Sequence, residues 1–397
     1  VIRSKRPDGR GTGPDIYLDH AATSFPKPRE VEEAVVWALR ELAAPGRGTH
    51  RRAQQAAEAI EGARRAAAGI LGTEDFRRVI FTKSATEGIN CALKGFVRPG
   101  DRVVATSMEH NAVARPLARL MRDWDVQVEW IPCSPSGSLS ADALCRALDP
   151  PPRLVIFPHA SNVNGALFPV ETIAEMCHER EVPFLLDAAQ TAGILPLQAD
   201  KWKAGMIACS GHKGLLGPAG VGLLYVGPHV EVLPLLEGGT GSRSEEWIQP
   251  ERLPDRYEAG TPNVMGITGL HAGIRVVEGH GVENIGGRER ELARWMEEEL
   301  ASLAGVRVYR PDCRGGNAVS FNVLGMHPQD VGALLAEAGI AVRTGLHCAP
   351  LAHRTLGTYP EGTVRAAPGM ETSREDVLLL LESLDRLITR KKRRGIR

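Results

Sequence analysis

Aromatic residues make up only 5% of this 397-residue chain, and its net charge is nil, with 48 Lys and Arg against 48 Asp and Glu. Charge balance leaves no global field to gather nucleic acid or an acidic partner. Long apolar runs are missing too: none nears the roughly eighteen residues needed to cross a bilayer, and no signal peptide is visible. Cysteines are few, seven in all at 91, 133, 145, 177, 209, 313 and 348. Their number is odd and no pair has Cys-x-x-Cys spacing, which argues against a disulfide framework or a closed structural zinc site, and no metal is expected. Free thiols fit the reducing cytoplasm. Internal repeats are absent.

What is present is ordinary globular material, 43% hydrophobic and 24% charged, in a chain long enough for two domains. Residues 1–15, rich in Arg, Gly and Pro, read as a disordered leader. From 16 to 265, short apolar runs such as Leu154–His159, Phe184–Asp187 and Met206–Ser210 alternate with helical stretches. Near-continuous apolar strands suit a sheet covered on both faces, so the expectation is an α/β domain with a mainly parallel sheet. From 266 to 397 the pattern becomes α+β, a smaller C-terminal domain ending in a basic tail, Lys391 to Arg397.

Several strings could carry chemistry. Lys213, in Ser210-Gly211-His212-Lys213, precedes a Gly-rich loop and can hold an aldehyde cofactor as a Schiff base; alone it reads as a surface lysine. Asp187 ends an apolar strand 26 residues earlier, where ligands bind in open α/β sheets, and the alternative is a helix cap. Gln190 lies just beyond. Ala85 and Thr86 open a helix after a strand, offering backbone amides and a hydroxyl to a phosphate; Ser210 and His212 can add contacts. His110 either lies over a planar ring or caps the next helix, and Asn162 has the same position after its strand. Arg343 and Arg365 bracket the Cys348 loop and either can clamp a carboxylate. Cys91, Cys145, Cys177 and Cys209 fall in regular elements and read as core, whereas Cys348 is flanked by His347 and Ala349-Pro350 in a loop. An unperturbed thiol is only about 3% thiolate at pH 7, so a cationic His347 is expected to help activate it.

Taken together, Tyr17-Leu18-Asp19-His20-Ala21-Ala22-Thr23, Thr86-Glu87-Gly88, Met108-Glu109-His110, Asp187-Ala188-Ala189-Gln190, Ser210-Gly211-His212-Lys213, Ala259-Gly260-Thr261-Pro262-Asn263 and Arg343–Ala349 resemble the class V aminotransferase superfamily. Within it they resemble cysteine desulfurases, in the group of SufS-like enzymes and selenocysteine lyases. The resemblance covers about residues 16–390. It implies a fold-type I pyridoxal phosphate (PLP) enzyme acting as a homodimer. Lys213 then matches the Schiff-base lysine, Asp187 the partner of the pyridinium nitrogen, Gln190 the phenolic-oxygen contact and His110 the stacked histidine. Ala85, Thr86, Ser210 and His212 match the phosphate site, joined by Thr261 from the other subunit. Asn162, Arg343 and Arg365 match substrate-carboxylate contacts, and Cys348 the persulfide-forming cysteine. His20, where asparagine is commoner, and the string Ala366–Met370 depart from the pattern.

The leading expectation is conversion of L-cysteine to L-alanine with sulfur left on Cys348 and passed to an acceptor protein. The alternatives are a selenocysteine lyase, or an epimerase or C–N lyase of the same superfamily in which Cys348 is a bystander.

Overall fold

The structure, a computed structural model, describes residues 16–46 and 48–393; the expected leader lies outside them, as do residues 394–397 of the basic tail. The described chain opens with β1 (Ile16–Tyr17), α1 (Arg29–Glu41) and α2 (Arg51–Leu71). Strands and helices then alternate through β2 (Val79–Thr82), α3 (Ala85–Phe96), β3 (Arg102–Thr106), α4 (Asn111–Trp124), β4 (Gln127–Ile131), α5 (Ala141–Ala147), β5 (Leu154–Pro158), α6 (Val170–His178), β6 (Phe184–Asp187), β7 (Met206–Ser210) and β8 (Gly222–Val226). The remainder comprises α7 (Val264–His280), α8 (Val282–Ser302), β9 (Val306–Val308), β10 (Val319–Val323), α9 (Pro328–Glu337), β11 (Ile340–Ala341), β12 (Arg343–Gly345), α10 (Pro350–Thr355), β13 (Thr363–Ala366) and α11 (Arg374–Arg393).

Seven strands form one sheet in the order β2-β8-β7-β6-β5-β3-β4. The pairings β3·β4, β3·β5, β5·β6 and β6·β7 are parallel, and β8 runs antiparallel to both β7 and β2. Because side chains alternate between faces, each strand feeds two cores. Val104, Leu186, Ile207 and Cys209 pack on one face, while Val103, Ala105, Leu185, Met206 and Ala208 pack on the other. Both faces exclude water, which is why these strands read as unbroken apolar runs.

A second sheet, β12-β13-β10-β9, is antiparallel, and β1 pairs with β11 through Ile16 and Ile340. Its core draws on Phe321, Val364, Leu380 and Leu384, with Ile16 and Leu18 from the chain's start. The division expected at residue 266 falls inside α7. Ile267, Leu270, Ile274 and Val277 of that helix pack into the large sheet's core beside α2. Packing passes to the second core only within α8, at Leu292, Met296 and Leu300. The periodicity changes where a long helix begins, but that helix turns its apolar stripe toward the first core.

Candidate active site

The candidate residues gather at the C-terminal ends of the parallel strands. His110 follows β3, Asn162 follows β5, Asp187 ends β6, and Ser210, His212 and Lys213 end or follow β7. The start of α3 comes close because Gly222 faces Ser210 across the β7–β8 pair: a Cβ on Gly222 would lie 2.5 Å from the Ser84 carbonyl carbon and 2.9 Å from the Ala85 nitrogen. Ser84 caps α3 by accepting from the Glu87 N–H (3.3 Å), and the Glu87 carboxylate accepts from the Lys83 N–H. These contacts hold the first turn of α3, with Ala85 buried and Thr86 exposed, in the geometry whose free N–H groups can donate to an anion at a helix N-terminus. Thr86, His110 and Cys348 line one cleft of about 370 Å³.

Burial sets the protonation states here. It brings the Lys213 amine down to about 8, opposed by Asp187 and reinforced by Arg365 and Arg343. Burial raises the Asp187 carboxyl, while the Ala189 N–H (3.0 Å) and the Lys213 charge pull it back. No helix follows Asp187, so the cap reading fails; its side chain closes a turn instead. Burial, then Lys213, Arg365 and Arg115, lower His110 to about 4. His110 does cap α4, its Nδ1 accepting from the Ala112 N–H (2.9 Å), so the proton of the neutral ring sits on Nε2. His212 is likewise lowered to about 4 by burial, and its carbonyl accepts from Lys27 Nζ (2.8 Å) and the Ser24 N–H (3.0 Å). Gln190 Nε2 donates to the Ala21 carbonyl (3.0 Å). Thr261 is exposed and hydrogen-bonds to none of these groups.

The second sheet delivers the thiol. Cys348 is exposed in the turn between β12 and α10, and its carbonyl accepts from the Asn111 N–H (2.7 Å). The His347 carbonyl accepts from Asn162 Nδ2 (2.7 Å). His347 and Cys348 both have positive φ, 47° and 57°. Two successive non-glycine residues in that region cost about 1 kcal/mol or more each, so the loop stays there only because its anchors hold it. His347 is not the cation expected beside Cys348. Burial, then Arg365, His353 and Arg343, hold its pKa well below the usual value, and the ring is buried and neutral. The cations that face Cys348 are Lys213, Arg343 and Arg365.

Other residues were invisible in the sequence. Asp19 binds both arginines, Oδ1 to Arg365 (2.9 Å) and Oδ2 to Arg343 (3.0 Å), while Arg365 also donates to the Asn162 carbonyl (2.8 Å). Its only signal was membership of the Tyr17–Thr23 string. Lys27, lowered to about 8 by burial, had none. The unusual His20 and Gly369 prove to be one contact: a Cβ on Gly369 would lie 2.2 Å from His20 Nδ1, so the larger ring requires the glycine. Cys145, expected in the core, is exposed, because α5 buries Leu144 and Ala147 instead.

PLP fits this set of donors. Lys213 Nζ, Ser210 Oγ and Thr86 Oγ1 have no hydrogen-bonding partner among the described residues, and the buried Asp187 carboxylate lacks a cation other than Lys213. A pyridinium nitrogen, an aldehyde and a phosphate are the groups such residues would hold.

The Aminotransferase class-V family model matches residues 16–380. A probable cysteine desulfurase of Pyrococcus abyssi is 37% identical over 388 residues, covering 94% of each chain. A cysteine desulfurase of Escherichia coli O157:H7 is 34% identical over 94% of this chain and 93% of its own. Among solved structures, the apo cysteine desulfurase of Thermococcus onnurineus superposes with a TM-score of 0.88 at 33% identity, covering 98% of this chain and all of the other. The S-sulfonic acid form of the cysteine desulfurase CsdA of Escherichia coli gives 0.85 at 29% identity, covering 95% of each. With a family model spanning nearly all the described residues and relatives above 30% identity along almost their whole length, this chain belongs to the class-V aminotransferase family.

Proposed function

We propose that this chain is a PLP-dependent cysteine desulfurase that converts L-cysteine to L-alanine and holds the sulfur on Cys348 as a persulfide. The observation that carries the reading is an exposed cysteine on an anchored loop, facing the buried amine of Lys213 across the large sheet's strand ends. The relatives named above as cysteine desulfurases support it.

PLP, when bound, supplies an electron sink for charge developing at the substrate's Cα. Lys213 Nζ would hold the cofactor and move the Cα proton, which its lowered pKa near 8 allows. Asp187 would pair with the ring nitrogen, His110 would stack on the ring, and Gln190 would reach the phenolic oxygen. Ala85 N–H, Thr86, Ser210 and His212 would bind the phosphate, with Thr261 of a second copy completing it in a homodimer. Arg365, Arg343 and Asn162 would orient the substrate carboxylate, which must displace Asp19 from at least one guanidinium. The Cys348 thiolate then forms an S–S bond to the substrate sulfur as the Cβ–S bond breaks. The electron pair stays on carbon, which takes a proton and becomes the methyl group of alanine. The persulfide passes its sulfur to an acceptor protein. All seven cysteines are unpaired, in keeping with a reducing cytoplasm, and among the described residues no helix is long and apolar enough to cross a membrane.

The test is turnover of L-cysteine by wild type and Cys348→Ser holoenzyme, with intact mass measured after substrate. One added sulfur on the Cys348 peptide and loss of alanine formation in the variant are expected. A variant that makes alanine at the wild-type rate removes Cys348 from the reaction.

A further inference from the structure

Behind the Cys348 loop runs a chain of buried hydrogen bonds. His347 Nε2 lies 3.0 Å from Thr363 Oγ1, which lies 2.9 Å from Ser320 Oγ, which donates to the Val163 carbonyl at 2.7 Å. Thr363 and Ser320 are fully buried. The direction of every bond follows from its far end, because a carbonyl only accepts. Ser320 therefore gives its single proton to Val163 and must accept from Thr363. Thr363 has then used its own proton and must accept from His347. The His347 ring is fixed as the Nε2–H tautomer, and its Nδ1, buried and without a partner, carries a lone pair.

This chain crosses the seam between the two sheets. Ser320 and Thr363 belong to β10 and β13 of the smaller sheet, whereas Val163 follows β5 of the larger one, next to Asn162. Asn162 holds the His347 carbonyl, so main chain and ring of one residue are tied to the same large-sheet segment by two routes. His347 and Cys348 occupy the left-handed region in succession, a conformation that persists only where the surroundings over-determine it.

We propose that Thr363 and Ser320 are positioning residues: their hydroxyl relay orients His347 and thereby fixes where the neighbouring Cys348 thiol is presented to the substrate sulfur. The inference rests on Cys348 being the sulfur acceptor. His347 acts here as a strut between sheet and loop. The relay's hydroxyls contact only the His347 ring, each other and the Val163 carbonyl, none of them assigned above to the cofactor or the substrate carboxylate, so the effect of breaking the relay is expected at the sulfur-transfer step.

Steady-state alanine formation from L-cysteine by the holoenzyme, with excess dithiothreitol to release the persulfide sulfur as sulfide and return the Cys348 thiol, tests this. Thr363→Val keeps the volume and removes the hydroxyl; kcat should fall about tenfold, the effect of one lost buried hydrogen bond on a barrier, with KM within about twofold of wild type. The visible absorbance of the bound cofactor should be unchanged. Thr363→Ser restores the hydroxyl and should recover kcat to within about threefold of wild type. Ser320→Ala should slow kcat in the same direction, and the Ser320→Ala, Thr363→Val double variant should be no slower than the slower single one, because both cut one path. A wild-type kcat in Thr363→Val, or equal slowing in Thr363→Val and Thr363→Ser, overturns the relay; if Thr363→Val does not fold, a wild-type kcat in Ser320→Ala does so. Cys348→Ser separates the two readings. If that variant still turns over, the thiol assignment has failed, whereas an inactive Cys348→Ser beside a fully active Thr363→Val defeats the relay alone.

Discussion

An exposed lysine amine is almost wholly protonated near neutral pH and cannot attack an aldehyde. Burial lowers Lys213 to about 8, and the guanidiniums of Arg365 and Arg343 reinforce the shift. A sizeable fraction of the amine is therefore neutral just above pH 7. The rate at which cofactor-free protein develops PLP absorbance should rise with pH and level off a little above pH 8; a rate still climbing toward pH 10 would show an ordinary amine. Lys213→Arg should show no such band at any pH. The same desolvation acts oppositely on expectation at His347. Adjacency in sequence suggested a cation for Cys348, but the ring points into the protein, where burial and Arg365 keep it neutral. Residue type and spacing carry chemistry, whereas charge state depends on how much water the fold removes.

The short strand β1 and the residues just after it tie the two halves of the molecule. Ile16 and Tyr17 pair with β11, and Asp19 then reaches the arginines of β12 and β13. Arg365 is 3% exposed and Arg343 is 49% exposed, so Asp19 matters mainly to the former. Asp19→Ala leaves a buried guanidinium without its counter-ion and should destabilise by about 3 kcal/mol. Arg343→Ala removes a screened surface partner and should cost about 1 kcal/mol or less. Denaturant unfolding of both variants checks the order, and equal losses would contradict it. This also marks where sequence reading stops. Strands β3, β5, β6 and β7 were legible because both faces are covered and the apolar run is continuous. Strands β12 and β13 were not, since Arg343-Thr344-Gly345 and Thr363-Val364-Arg365-Ala366 owe their pairing to each other and to β10. Motif-borne residues such as Lys213, Asp187 and Cys348 could be picked out from local strings. The Asp19–Arg365 pair spans 346 positions, and nothing local announces such a contact.

Across the whole molecule, buried ionisable groups pull stability in opposite directions with pH. His20, His159 and His353 are held near 4 by burial, and burial also holds His347 well below its usual value. Their folded pKa is depressed, so the stability they contribute is complete above the unfolded value of about 6.5 and is lost as pH falls through 4. Glu109 and Glu289 are raised to about 8, also by burial. Their contribution is complete below the unfolded value near 4.5 and is lost as pH rises through 8. Between about pH 4.5 and 6.5 the unfolded chain gains more protons at these histidines than it gives up at the two carboxyls, so stability rises with pH. Above 6.5 the histidines are neutral in both states and the carboxyls outweigh Lys27 and Lys213, whose lowered amines begin to oppose them only as pH nears 8, so the slope reverses; the raised carboxyl of Asp187 adds to the decline. The melting temperature of cofactor-free protein should therefore peak near pH 6.5. Glu289→Gln, which keeps an acceptor for Asn317 Nδ2 (3.0 Å) without a titrating proton, should flatten the fall between pH 6.5 and 8 and leave the acid side unchanged. A melting temperature that climbs steadily to pH 8 in wild type, or an alkaline slope untouched by Glu289→Gln, would show that these carboxyls do not stay protonated in the fold.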